Sequence, residues 1–385
     1  MEDVFPRAGD RFAFVVDTGR INHLSDPKPC PISVPFDDGL RSVASCRHRV
    51  NDMMTRRTFL GGVGGGLATV CATMARATAA AQPESRRYRI GIMEARAASA
   101  NAAQLAAFRR GLEELGYVEQ RQFVLEYRSA EGQPDRFPAI ATELVRIPVD
   151  IILATGTPAV LAAKRATQTI PIVMTSSGDP IDTGAVGSLP YPGGNVTGVS
   201  ALVTETSGKR IELLKEAVPT AQRIAVLLDM GNPAVVRQWR ITSAAATSMK
   251  LASQLLDVRR SEDIGRAFER AARDHADAML VGRGAVALHN ARQLADLAVR
   301  YRLPTMFPSR EFVELGGLMS YGVNYAELYH RAATFVDKIF KGAKPGDLPV
   351  EEPTSFELVI NVGTATKLRI TLARALLQRA DQLIE

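Results

Sequence analysis

Cysteine is scarce and badly placed for chemistry: all three, Cys30, Cys46 and Cys71, lie in the first fifth of the 385-residue chain. The remainder has no disulfide, thiolate nucleophile or cysteine metal site to offer. Histidine is equally thin there. His275, His289 and His330 are scattered, with no pair at metal-ligand spacing. Neither a Gly-x-Ser-x-Gly elbow nor a phosphate-binding P-loop is present, so hydrolase and metalloenzyme chemistry have little to stand on. After residue 81, 37 Lys and Arg remain of 47, against 33 Asp and Glu of 41. That mild excess, with no basic stripe interleaved with aromatics, argues against a dedicated nucleic-acid surface. No apolar run reaches the roughly 20 residues of a bilayer-spanning helix.

What is present begins with Thr55-Arg56-Arg57-Thr58-Phe59-Leu60, a glycine-rich apolar run, and a small-residue exit ending at Ala81. A charged start, a short apolar middle and small residues at the exit predict an export signal over 53–81, its paired arginines marking the twin-arginine route. The glycines Gly61 to Gly66 argue against a buried helix, since each costs about 1 kcal/mol relative to alanine. Residues 1–52, without helical or strand periodicity, are expected to be a disordered or untranslated leader, with Met53 or Met54 as the start. Val70 before Cys71 is too bulky for a lipid-acceptor site. The expected location is therefore periplasmic.

From Tyr88 onward, β-branched runs alternate with helical patterns, as βαβ units and a parallel sheet require. One series has strands at 88–93, 123–127, 150–154 and 170–174. In its first helix, about 100–115, Leu105, Phe108, Leu112 and Leu115 fall at helical spacing and predict a face laid on the sheet. A turn-rich passage at 190–195 leads through Val196 to Ser200 as the first hinge. A second series has strands near 223–228, 252–258, 278–281 and 304–307. Gly316 to Gly322 is read as a last strand and second crossing, after which the tail returns to the first lobe. The expected architecture is α/β: two Rossmann-like lobes joined by hinge crossings, lobe 1 being 86–198 plus 323–385 and lobe 2 being 199–322.

Open parallel sheets bind ligands beyond the carboxyl ends of their strands, where helix N-termini present free N–H groups. The candidates there are Thr155, Gly156 and Thr157 after the third strand, with Thr157 a good N-cap, Pro158 suited to a first turn and Gly156 allowing close approach to the backbone. Ser176, Ser177 and Asp179 follow the fourth strand. Asp179 either pairs with an ammonium or only caps the turn before Pro180. The opposite lobe supplies Asp229, Arg283, Phe307 and Tyr321, a mix of charge, aromatic surface and hydroxyl suited to a small organic molecule. Gly282-Arg283-Gly284-Ala285-Val286-Ala287 formally matches a dinucleotide fingerprint. The next strand lacks the acidic residue that would hold a ribose, so no nucleotide cofactor is expected.

Taken together, several segments resemble the periplasmic substrate-binding proteins of ABC transporters, in the subfamily of the tryptophan-binding lipoprotein type. The resemblance is carried over nearly all of 88–385 by Gly156-Thr157-Pro158, Gly178-Asp179-Pro180, Pro192-Gly193-Gly194-Asn195-Val196-Thr197-Gly198, Lys209-Arg210, Gly316 to Gly322, Gly342-Ala343-Lys344-Pro345 and Arg379-Ala380-Asp381. It implies a type I, Venus-flytrap fold, no cofactor, capture of a small ligand, and delivery to a permease with its ATPase by a monomer that does no covalent chemistry. Some relatives take aromatic amino acids. Two departures matter. The glycine and prolines expected around 368–373 are replaced by Leu368-Arg369-Ile370-Thr371-Leu372-Ala373. The loop Glu94-Ala95-Arg96-Ala97-Ala98 leaves the ligand's side-chain pocket undefined. The rival readings are an exported α/β enzyme using the same cleft, and a ligand-binding sensor subunit.

Overall fold

A computed structural model describes residues 86–201 and 205–385. The expected leader and export signal lie outside the described residues.

The first lobe opens with β1 (Tyr88–Glu94), α1 (Ala102–Glu114), β2 (Phe123–Ser129), α2 (Phe137–Arg146), β3 (Ile151–Thr155), α3 (Thr157–Ala166), β4 (Ile172–Ser177) and β5 (Val196–Ser200). Its five strands are parallel in the order β2-β1-β3-β4-β5. β3 is buried at every position, as a central strand covered by helices on both faces must be. One face of the sheet packs Phe137, Leu144 and Val160 from α2 and α3; the other packs Leu105, Phe108 and Leu112 of α1. The passage read as a hinge is thus partly strand: β5 forms the edge of this sheet, and the crossing comes after Ser200. β5 approaches β4 closely at Gly198, where a Cβ would lie 2.2 Å from the Met174 carbonyl oxygen and where φ is +124°. Only glycine fits there.

The second lobe runs through α4 (Glu205–Ala217), β6 (Arg223–Leu228), α5 (Pro233–Ser248), β7 (Ala252–Asp257), α6 (Asp263–Arg273), β8 (Ala278–Val281), α7 (Ala285–His289), α8 (Ala291–Arg300), β9 (Thr305–Phe307), α9 (Arg310–Glu314) and β10 (Met319–Gly322). α7 and α8 are parted at Asn290, whose side chain donates to the Val286 carbonyl and to Ser261 Oγ. The chain then crosses back, and α10 (Tyr325–Phe340) lays Tyr329, Ala332, Phe335 and Val336 on the first lobe beside α1. Asn324 caps it by accepting from the N–H groups of Ala326 and Glu327.

The tail departs from expectation. After running along β5, with Ser200 N–H bonded to the Glu351 carbonyl at 2.8 Å, the chain crosses a third time. β11 (Glu357–Asn361) pairs antiparallel with β10, and β12 (Gln382–Ile384) pairs parallel with β11. The second sheet therefore has seven strands, β12-β11-β10-β9-β8-β6-β7. Residues 357–385 belong to lobe 2, because Leu358, Ile360, Leu368 and Leu376 bury against its core beside Met306 and Met319. Between β11 and β12 stand α11 (Val362–Leu368) and α12 (Arg374–Gln378). α11 ends on Arg369 at φ +58°, the left-handed cap position that usually carries glycine.

Candidate functional site

The carboxyl ends of β1, β3 and β4 face those of β6 and β8 across the gap between the lobes. α3 begins there on Gly156, whose φ of +85° needs glycine and whose missing side chain leaves open space. No side chain caps α3, whose first turn carries Pro158 without an N–H, so the positive end of the helix dipole at Thr157 borders the gap. From the second lobe come Asn232 and the first turns of α5, and Arg283 at the end of β8. The depression between them has a cavity volume of about 60 Å³, counted as space open to the centre of a water molecule. Since one water needs about 10–15 Å³ on that measure, the space suits a small solute. Phe137, Val235, Leu288 and Ala201 supply its apolar walls.

Behind this space lies a buried polar network. Glu94 is fully buried at the end of β1. One carboxylate oxygen accepts from the Ala95 N–H at 2.8 Å and the other from the Tyr329 hydroxyl. Burial first, then the neighbouring Glu94 charge, hold Tyr329 well above its usual pKa, so it stays a donor. Thr155 Oγ1 sits 2.6 Å from that hydroxyl and 3.0 Å from Thr175 Oγ1. Burial alone would lower the Arg96 guanidinium, but the carboxylates of Glu94 and Glu311 outweigh it and hold it above its ordinary value. Arg210 lacks such a neighbour. Burial pulls it down to about 10, and its guanidinium donates to the carbonyls of Tyr321 (2.7 Å) and Pro308 (3.2 Å).

Contacts across the gap draw the lobes together. The Arg283 guanidinium lies 3.2 Å from the centre of the Tyr325 ring, a cation–π stack between β8 and α10. Gln104 on α1 donates to Glu311 on α9 at 2.7 Å, and Arg237 on α5 pairs with Asp182. Burial would raise the Glu311 carboxyl, but Arg283 and Arg96 override it and lower it below its ordinary 4.5.

Of the residues singled out from sequence, Thr155, Gly156, Thr157, Ser176 and Arg283 line this cavity. The others are placed elsewhere. Ser177 is one layer behind, 3.2 Å from Thr157 Oγ1. Asp179 borders a separate surface depression with Ile181 and Arg237. Its backbone is left-handed, with φ +41°. Asp229 borders another depression between the lobes, with Pro158, Leu161 and Arg259, and accepts from Gly231 N–H at 3.0 Å. Phe307 is core, stacked on Phe312 at 5.2 Å. Tyr321 stacks on Phe356 at 5.9 Å and gives its carbonyl to Arg210. Sequence reasoning missed Glu94, although it ends a strand, and also Gln238 and Tyr325, which need the lobes closed to meet the site. Among the described residues, no group of three or more His, Cys, Asp or Glu could hold a metal, and no helix is long and apolar enough to cross a membrane.

Two α/β lobes with mostly parallel sheets and a lined cleft between them define a solute-binding protein of the type I architecture. The chain belongs to the family of ABC transporter substrate binding proteins, whose family model matches residues 90–384. Members are extracytoplasmic, capture a small solute and work with a membrane permease. A tyrosine-binding protein of Clostridioides difficile (strain R20291) is 27% identical over 263 residues, 68% of this chain and 75% of its own length. Among solved structures, a conserved domain protein from Vibrio cholerae is 27% identical with a TM-score of 0.72, over 77% of this chain and 99% of its own. An ABC domain from Streptococcus pneumonia in complex with L-Trp is 26% identical with a TM-score of 0.72, over 77% and 100%.

Proposed function

We propose that the mature chain is a periplasmic, monomeric solute receptor, exported by the twin-arginine route, that closes on a small organic molecule and releases it unchanged to its permease. The relatives named for tyrosine and L-Trp make an aromatic or amino-acid-sized solute the first class to test. The observation that carries the reading is the cleft, where donors of one lobe, Thr155, Ser176 and the start of α3, face Arg283, Asn232 and Gln238 of the other. A solute touching both lobes favours the closed arrangement by its differential affinity for it. The reading assigns no covalent chemistry: Thr155 and Thr157 are bonded to other hydroxyls or backbone groups, and no imidazole lines the cavity.

Calorimetry with a panel of amino acids and aromatic acids, followed by mass spectrometry of the recovered solute, tests it. One-to-one binding with the solute recovered intact is the expected result. A converted product would favour the exported enzyme instead. A chain that binds but does not restore uptake with its permease would favour a sensor.

A further inference from the structure

Two donors that line the cleft are unused among the described residues. Gln238 is 1% exposed and lines the cavity, yet its Nε2 finds no acceptor among the described residues. Arg283 commits Nη1 to Ser309 Oγ at 3.0 Å and its face to Tyr325, while its buried Nη2 also finds none. Both converge with the uncapped start of α3 on one space. The surrounding charges are unbalanced in the same sense. Three guanidinium groups, of Arg96, Arg210 and Arg283, stand with two carboxylates, of Glu94 and Glu311, and the tyrosines among them are held protonated. An excess positive charge in a shielded site calls for an anion. Glu94 is the one carboxylate lining the cavity. Both its oxygens already accept hydrogen bonds, and Arg96 lies 4.0 Å away. The Glu94 charge is therefore already shared with Ala95, Tyr329 and Arg96 before an ammonium group reaches it.

From this placement we infer that the solute is an organic monocarboxylate, its carboxylate received by Arg283, Gln238 and the N-terminus of α3, and that recognition needs no α-ammonium group. The inference rests on the solute-binding reading and narrows it. The carboxylate joins the lobes, since α3 belongs to the first and Arg283 and Gln238 to the second. The apolar walls take an uncharged body.

The test uses matched probes on the purified chain by calorimetry: phenyl, 4-hydroxyphenyl, indolyl and butyl bodies, each as the free acid, the α-amino acid, the amine and the primary amide. Myo-inositol and D-arabinose serve as uncharged controls. For at least one body, the acid binds at least about 10-fold tighter than its amine and amide, and the amino acid binds no tighter than the acid. Charged hydrogen bonds of this kind make Arg283→Gln and, separately, Gln238→Met weaken the acid by about 10- to 100-fold, while Arg283→Lys loses less than Arg283→Gln. Circular dichroism of each variant verifies its fold. An amine or amide that matches the acid, or an amino acid about 10-fold tighter than it, overturns the inference and leaves solute binding intact. Binding of the uncharged controls alone does the same. Failure of every probe overturns the inference and counts against the solute-binding reading with it.

Discussion

Replacing Gln238 by methionine should make the empty protein more stable and the receptor worse. In the closed cleft the side chain is 1% exposed, and its amide nitrogen meets no acceptor among the described residues. A buried donor left unsatisfied costs about 1–3 kcal/mol. Methionine has similar length and no donor, so it removes that cost while filling much of the same space beside Gly282. Allowing for imperfect shape, the expected gain is about 1 kcal/mol, or roughly 2 °C in Tm for a chain of this size. The same substitution removes a donor proposed to reach an anion, which weakens binding by about 10- to 100-fold. Urea unfolding of the unliganded variant gives the first quantity and calorimetry the second. A variant less stable than the parent by 1 kcal/mol or more would show that the amide has a structural partner after all. Unchanged affinity would remove Gln238 from the site.

Gly198→Ala should destabilise the first lobe by at least about 3 kcal/mol, since a Cβ would sit 2.2 Å from the Met174 carbonyl oxygen at φ +124°; loss of soluble expression or a lower urea midpoint checks it, and a neutral result would refute the close approach. Arg369→Gly should stabilise by a few tenths to about 1 kcal/mol by relieving the left-handed cap at φ +58°, read by the same unfolding curve. Tyr325→Ala removes the stack beneath Arg283, worth about 0.5–2 kcal/mol; small-angle scattering should report a larger radius of gyration. The Glu311 carboxyl is lowered below 4.5 in the fold, so its charge contributes stability above that value and loses it as pH falls through the folded pKa. Glu311→Gln should therefore flatten the acid limb of unfolding free energy against pH, whereas an unchanged limb would place the sensitivity elsewhere.

The alternation of β-branched runs with helical patterns was enough to give two parallel-sheet lobes, because periodicity and turn residues act over a few neighbouring positions. The strand-end rule led to Thr155, Gly156, Thr157 and Ser176 for the same reason. Each lies within two residues of the end of its own strand, wherever that strand ends up. The glycine of the Pro192 to Gly198 segment was visible as a letter, but its reason is the Met174 carbonyl, distant in sequence.

Contacts between distant elements decided the rest. The tail's destination depended on whether β11 found a freer edge at β10 than at β5, and the path of residues 341–351 along β5 left β10 as its partner. Phe307 and Tyr321 carry the residue types of a ligand pocket, yet Phe312 and Phe356 took their faces. Asp179 follows β4 as the strand-end rule asks, but it borders a neighbouring depression with Ile181 and Arg237. Most of all, the charge balance of the cleft exists only when α4, β8, α9 and α10 close on β1: Arg210, Arg283, Glu311 and Tyr325 are far apart along the chain. Sequence by itself determined which strands and helices form and where a ligand could approach, since those depend on local spacing. Only the closed tertiary structure decided which polar groups are left with unused capacity, because hydrogen-bond satisfaction is a property of neighbours in space.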